Sequence, residues 1–283
     1  TVYKAVSTGR CLMAQATTGI GKTLGTLFPL LKAMARQPLD KILFLTAKTP
    51  GRALALDAVR QVMAASPELA LRSLELVARD KACEFPGTAC HGDACPLAKG
   101  FYDRLPAARD AAIRQPLLDK ARVREVALDH QVCPYYLAQE LARWVDVLVA
   151  DYNYYFDQSA LLFGLAQTDQ WRLAVAVDEA HNLVERARQM YSASLDQGQL
   201  QALRREPPAG MASALQSLNR EWNRLHKEQI APYQASNELP AAFIKALQRC
   251  VGLIQEQMNR APQSVDPALL QFFFQAVQFV RLS

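Results

Sequence analysis

ATTGIGKT, residues 16–23, is the stretch on which the fold turns. Two glycines two residues apart are followed by a lysine, a hydroxyl residue and then an apolar run. Gly19 and Gly21 let the backbone curl so that successive N–H groups face one point, the arrangement that holds phosphate oxygens. The expected holders are the backbone of Thr18, Gly19, Ile20 and Gly21, with Lys22 reaching the terminal phosphates and the Thr23 hydroxyl ligating Mg²⁺. A helix from about Lys22 to Arg36 would point its positive end at the same anion. The preceding CLMAQA, residues 11–16, reads as a buried strand leading into the turn. The plain alternative is a chance Gly-Lys-Thr turn, and strand-then-helix context argues against it.

Outward from this turn, short apolar runs alternate with helical patterns. KILFLT (41–46), LELVA (74–78), VDVLVA (145–150) and LAVAV (173–177) read as further strands. Continuous Val/Ile/Leu runs separated by helices indicate a parallel sheet covered on both faces, hence an α/β fold. The last run ends in Asp178-Glu179-Ala180-His181. Carboxylates at the end of a parallel strand lie on the ligand side of the sheet. Asp178 is the expected Mg²⁺ holder, Glu179 the base that orients and deprotonates a water, and His181 the sensor of the terminal phosphate. Read alone, the same four residues would be an ordinary solvated helix start.

Residues 79–133 interrupt this rhythm. The stretch carries Cys83, Cys90, Cys95 and Cys133 among prolines and charges, shows no strand-like run, and reads as an inserted subdomain. Three thiols in one loop and a fourth returning from a distant helix start can close a four-thiolate site. Cys95-Pro96 and Cys133-Pro134 each place a sulfur before an expected helix N-terminus, because proline is accepted in a first helical turn; the helix dipole then favours thiolate. Such a site suits a [4Fe–4S] cluster or structural zinc. Cys11 and Cys250 lie in apolar patterns and read as core. After about Asn182 the pattern is helical throughout, with prolines at the joints.

Composition limits the remaining choices. The chain has 283 residues, 51% of them hydrophobic, enough for one large core and a second module. No apolar run is long enough to span a membrane, and TVYKAVSTGR lacks the layout of a signal peptide; the expectation is a cytoplasmic protein. Net charge is +5, and residues 1–80 hold eleven Lys or Arg against five Asp or Glu. That imbalance suits a polyanion partner but is also within the range of an ordinary surface.

Taken in order, ATTGIGKT, FLTAKTPGR (44–52), the four-cysteine segment and VDEAHNL (177–183) resemble the XPD/DinG family of iron–sulfur superfamily 2 DNA helicases, in a bacterial DinG-like form. The match covers most of residues 1–190. The resemblance implies a RecA-like P-loop NTPase lobe at 1–78 and 134–183, an iron–sulfur domain at 79–133, and a helical arch from 184 to 283. It also implies ATP and Mg²⁺ as ligands, a [4Fe–4S] cluster on Cys83, Cys90, Cys95 and Cys133, and 5′ to 3′ translocation on single-stranded DNA toward duplex junctions. The protein is expected as a monomer in the nucleoid-bearing cytoplasm. Two departures stand out: Thr17 replaces the family's usual proline, and no second motor lobe follows the helical segment. These motors hydrolyse ATP between two lobes, so this lobe alone is expected to turn over little.

The same resemblance places DNA contacts at Lys48, Thr49 and Arg52, which follow the second strand, and at Asn153 and Tyr154. Tyr102 and Arg104, with Phe101, Tyr135 and Tyr136 nearby, supply stacking faces and a cation for single-stranded bases; the competing use of each aromatic is core packing. The contrasting functional expectation is a zinc-stapled nucleic-acid-binding module that takes ATP only as a ligand.

Overall fold

In β1 (Lys41–Leu45) all five residues are buried, as a central strand of a parallel sheet requires. The computed structural model describes residues 1–17, 19–157, 159–260 and 266–283. Before β1 come α1 (Val2–Ser7) and α2 (Lys22–Met34); after it come α3 (Thr49–Ala65) and β2 (Ser73–Glu75). The cysteine-bearing stretch contributes α4 (Arg79–Ala82), α5 (Phe101–Ala112), β3 (Leu117–Leu118) and α6 (Lys120–Asp129). Then follow α7 (Pro134–Leu141), β4 (Val147–Ala150), α8 (Asn153–Phe156), α9 (Leu161–Thr168), β5 (Leu173–Val177) and α10 (His181–Met190). The five strands form one parallel sheet in the order β3-β2-β4-β1-β5.

Alternation along β1 divides the core. Leu43 and Leu45 face one side with Leu74, Leu148, Leu137 and Leu141. Ile42 and Phe44 face the other, against Leu27, Leu30 and Leu31 of α2 and Ala55, Leu56 and Val59 of α3. Burying each such side chain contributes about 1.5–3 kcal/mol.

Two sequence expectations change here. Residues 11–16 form no strand, and Cys11, read as core, is exposed, as is Met13 at 94%. Among the described residues, the outer edge of β5 carries no strand partner, and Val175 on it is 37% exposed. The apolar run is thus present in the sequence without a ladder to bury it. Conversely, the cysteine-bearing stretch does contain a strand: Ser73 and Leu74 of β2 pair with Leu117 and Leu118. Ala108, Ala112, Val123, Val126 and Ala127 of α5 and α6 enter the same core as β1 and β4. A separately folded cluster insert is therefore not evident.

Two compact units are present, Thr1–Met190 and Tyr191–Ser283. α10 continues past the acidic residues and sets Met190 into the first unit's core, so the division falls at 190 rather than after 183. The second unit holds α11 (Gln197–Arg205), α12 (Ala212–Glu228), α13 (Ala241–Arg260) and α14 (Pro267–Leu282) around Leu215, Leu218, Leu247, Cys250 and Phe272. Asp266 caps α14 by accepting from the Ala268 N–H at 2.7 Å, with Pro267 in the first turn. Cys250 is core as expected; burial pushes its thiol up to about 11.

Candidate functional site

Register builds the site. Leu45 is level with Ala150 on one side and Val177 on the other. The next residues of the three strands, Thr46, Asp151 and Asp178, therefore stand abreast at the carboxyl edge of the sheet. Thr46 N–H donates to Ala150 O at 3.0 Å, and Asp178 N–H to Leu45 O at 2.8 Å. This edge is where open parallel sheets bind ligands.

The glycine turn meets that edge. Gly19 and Gly21 take left-handed φ angles of 86° and 79°, and Gly21 caps α2. Neither would accept a β-carbon without strain. Lys22, the first residue of α2, places Nζ 3.1 Å from Glu179 Oε1. Thr23 follows in the same helical turn, and Ile20 is 65% exposed at the tip. Thr18 lies outside the described residues. Oxygen donors beside an unpaired helix N-terminus suit a Mg²⁺-bound polyphosphate.

Glu179 also adopts a positive φ, 51°, and His181 Nδ1 lies 3.4 Å from its Oε2. The two neighbouring acids are pulled in opposite directions. The Lys22 ammonium holds the Glu179 carboxyl below its ordinary range. Burial, then the charge of Glu179, raises Asp178, while Lys22, the Glu179 N–H and the Thr46 hydroxyl oppose that rise.

Three residues of this site were not singled out from the sequence. Thr46 is 2% exposed, and its hydroxyl favours the Asp178 carboxylate. Gly51 allows α3 to start there: a β-carbon on it would sit 2.3 Å from Thr46 Oγ1 and 3.4 Å from Asp178 Oδ2. Tyr152 is fully buried, and its hydroxyl reaches the Asp178 carbonyl and, at 3.0 Å, the Glu179 carbonyl. A glycine and a threonine flanking a strand end were a readable signal. Nothing local separates Tyr152 from its neighbours in DYNYYF.

The cysteines are only partly gathered. Cys133 is the N-cap residue of α7, with Pro134 next, and the backbone N–H groups of Tyr136 and Tyr135 favour its thiolate. Burial nevertheless raises its thiol, and the charges of Cys83 and Cys90 add to the rise, so these three sulfurs are electrostatic neighbours. Cys95 precedes an isolated turn closed by Ala98 and Lys99 N–H donating to its carbonyl, not the helix expected after Cys95-Pro96; α5 starts only at Phe101. Among the described residues, no three or more His, Cys, Asp or Glu side chains are arranged to hold a metal ion. The donor chemistry fits a thiolate-bound centre, while the loop does not close around one.

The expected DNA contacts separate by burial. Lys48 and Thr49 are exposed at the start of α3. Arg52 is not: it is 5% exposed, donates to Glu75 Oε1 at 3.2 Å and to Thr49 Oγ1 at 3.1 Å, and is taken up inside the protein. Glu75 also accepts the Lys120 N–H at 3.1 Å, so Arg52 anchors α3 to the start of α6. Its guanidinium is not presented to a backbone phosphate. Asn153 is exposed, whereas the Tyr154 hydroxyl donates inward to Val77 O at 2.8 Å, and burial raises it far above the ordinary phenol range. Tyr102 is 83% exposed and stands edge-to-face on Phe101, which in turn meets Tyr136. Arg104 spends its guanidinium on the carbonyls of Lys99 and Gln131, stapling the Cys95 turn to the loop before Cys133.

Comparison with known proteins agrees with this geometry. The chain is 29% identical over 141 residues to a "Regulator of telomere elongation helicase 1 homolog" of Anopheles gambiae, covering 45% of this chain and 14% of that protein. It thus spans a minor part of that relative's length. Among solved structures, "Truncated XPD" superposes with a TM-score of 0.54 at 15% identity, covering 99% of this chain and 79% of that one. "XPD_Helicase" gives 0.53 at 16% identity, covering 98% and 49%. At these identities the superpositions speak for the fold. The DEAD_2 family profile matches residues 39–200, more than half of the chain. The chain belongs to the DEAD_2 family, the domain of XPD- and DinG-type helicases.

Proposed function

We propose that this chain is the ATP-binding lobe of a DNA helicase that moves 5′ to 3′ on single-stranded DNA toward duplex junctions. One observation carries the reading: Lys22 of the glycine turn meets Glu179 of the acidic turn at 3.1 Å, at the carboxyl edge of a parallel sheet. The α2 N-terminus and Lys22 hold the phosphates, Thr23 and Asp178 hold Mg²⁺, and Glu179 takes the proton of the attacking water, with His181 beside it. Hydrolysis requires a second motor lobe closing on this edge. The protein works as a monomer in the cytoplasm.

Cys83, Cys90, Cys95 and Cys133 hold a [4Fe–4S] cluster, which supplies a rigid, redox-active staple when bound. Support comes from the four-cysteine set, the place of Cys133 at the α7 N-terminus and the electrostatic influence of Cys83 and Cys90 on it. The helical unit Tyr191–Ser283 serves as the arch domain. Lys48, Thr49, Asn153 and Tyr102 are the exposed groups suited to that strand.

The test is ATP hydrolysis, with and without single-stranded DNA, in a protein carrying this chain together with a second motor lobe. Glu179→Gln is expected to bind ATP normally while hydrolysis falls by at least about a hundredfold. Hydrolysis at the parent rate in that variant would contradict the reading.

A further inference from the structure

Tyr152 belongs to none of the motifs that carry the nucleotide site, yet it is the side chain that touches both acidic residues from behind. It follows Asp151, two residues past the end of β4, at the N-cap of α8, and is fully buried. Its hydroxyl contacts the carbonyl oxygens of both Asp178 and Glu179. A phenol can only donate to a carbonyl, so the hydroxyl serves the acidic turn as a donor.

What it holds is unusual. Glu179 sits at φ 51°, a backbone region that non-glycine residues occupy only when neighbours keep them there. That conformation turns the Glu179 carboxylate toward Lys22. Asp178 is fixed from the front by its own N–H on Leu45 O. Two carbonyls held on one hydroxyl fix the peptide planes on both sides of Glu179. They therefore fix the direction of both carboxylates before any ligand arrives.

We infer that Tyr152 is a positioning residue, a backbone clamp that presets the Asp178 and Glu179 carboxylates for Mg²⁺-bound nucleotide. It touches neither metal nor phosphate and acts through the acidic turn alone. The inference rests on the nucleotide reading above, and its test separates the two.

The measurement is a titration of a fluorescent ATP analogue into the 283-residue chain, in Mg²⁺ and in EDTA, for the parent, Tyr152→Phe and Lys22→Ala. Tyr152→Phe is expected to bind in EDTA as the parent does and to need about tenfold more Mg²⁺ to reach its tight state, the worth of one hydrogen bond. Lys22→Ala is expected to lose nucleotide in both conditions. A parent-like Mg²⁺ requirement in Tyr152→Phe, with Lys22→Ala still losing nucleotide, overturns the clamp and leaves the nucleotide reading standing. Equal weakening of Tyr152→Phe in Mg²⁺ and EDTA makes Tyr152 a packing residue and also overturns the clamp. Normal binding by Lys22→Ala overturns the nucleotide reading, and the clamp with it. Should the phenylalanine variant melt before it can be titrated, hydrogen exchange on the parent chain decides. The Asn182 N–H, donated to the Glu179 carbonyl at 2.9 Å, is expected to be protected; free exchange there means the acidic turn is not held.

Discussion

Lys22 and Glu179 are 157 residues apart in sequence and 3.1 Å apart in space. The pair joins the glycine turn that opens α2 to the acidic turn that follows β5, at the carboxyl edge of the sheet. Both side chains remain partly exposed, 34% and 44%, so the pair is a poised contact and contributes little to stability. A phosphate entering at the α2 N-terminus would draw Lys22 off Glu179 and leave the carboxylate free to engage water.

Lys22→Ala should therefore leave the fold intact and weaken nucleotide binding. Loss of a charge-assisted contact to phosphate corresponds to roughly a ten- to hundredfold weaker Kd. Calorimetric titration with ATP and a thermal melt, run side by side, check both halves of this expectation.

Arg52→Ala should act on stability first. The Arg52 and Glu75 side chains are 6% and 11% exposed, and removing one partner leaves a buried charge unpaired at a cost of about 3–5 kcal/mol. Glu75 would also loosen at the Lys120 N–H. Denaturant unfolding is the measure. A variant as stable as the parent but weakened only toward DNA would return Arg52 to the role of a phosphate contact.

Tyr102→Ala should do the opposite. The ring is 83% exposed, so its loss costs little stability, while single-stranded DNA affinity should fall by the worth of one stacked base, about 1–3 kcal/mol. Fluorescence anisotropy with a labelled oligothymidine measures it. Unchanged affinity would assign the Phe101–Tyr102–Tyr136 contacts to packing alone.

Cys133→Ser should abolish bound iron, measured by elemental analysis and the visible absorbance of the purified protein. Arg104→Ala should keep all four sulfurs but lose iron to a chelator faster, because the Lys99 and Gln131 carbonyls are no longer stapled. Zinc in place of iron in the aerobically and anaerobically prepared parent would favour a structural metal instead.

Acid should weaken the join between β1 and β5. Arg172 grips Asp40 through Nε at 3.0 Å and Nη2 at 3.0 Å, and these bonds hold the Asp40 carboxyl below its ordinary 3.8. A depressed carboxylate contributes stability that is fully present above 3.8 and lost as pH falls through the lower folded value. Asp40→Asn should lower Tm modestly at neutral pH and flatten this part of the acid limb.

Much of this protein is written locally. The glycine spacing that demands left-handed φ at 19 and 21, the lysine that opens a helix, the carboxylates at a strand end and the unbroken apolar runs of β1 and β4 all follow from steric and burial rules acting over a few residues. Those rules are enough to specify an α/β nucleotide-binding lobe and the place of its acids.

What they leave open is pairing. Whether Leu45 lies level with Ala150 and Val177, and so whether Thr46, Asp151 and Asp178 form one edge, depends on strand register set by long-range burial. The same dependence left the apolar run at 11–16 without a strand partner and drew Leu117–Leu118 onto β2. It turned Arg52 inward to Glu75 and chose Tyr152 to stand behind the acidic turn. A side chain's chemistry is legible in the sequence, whereas its partner is settled only when distant segments close on one another and exclude water.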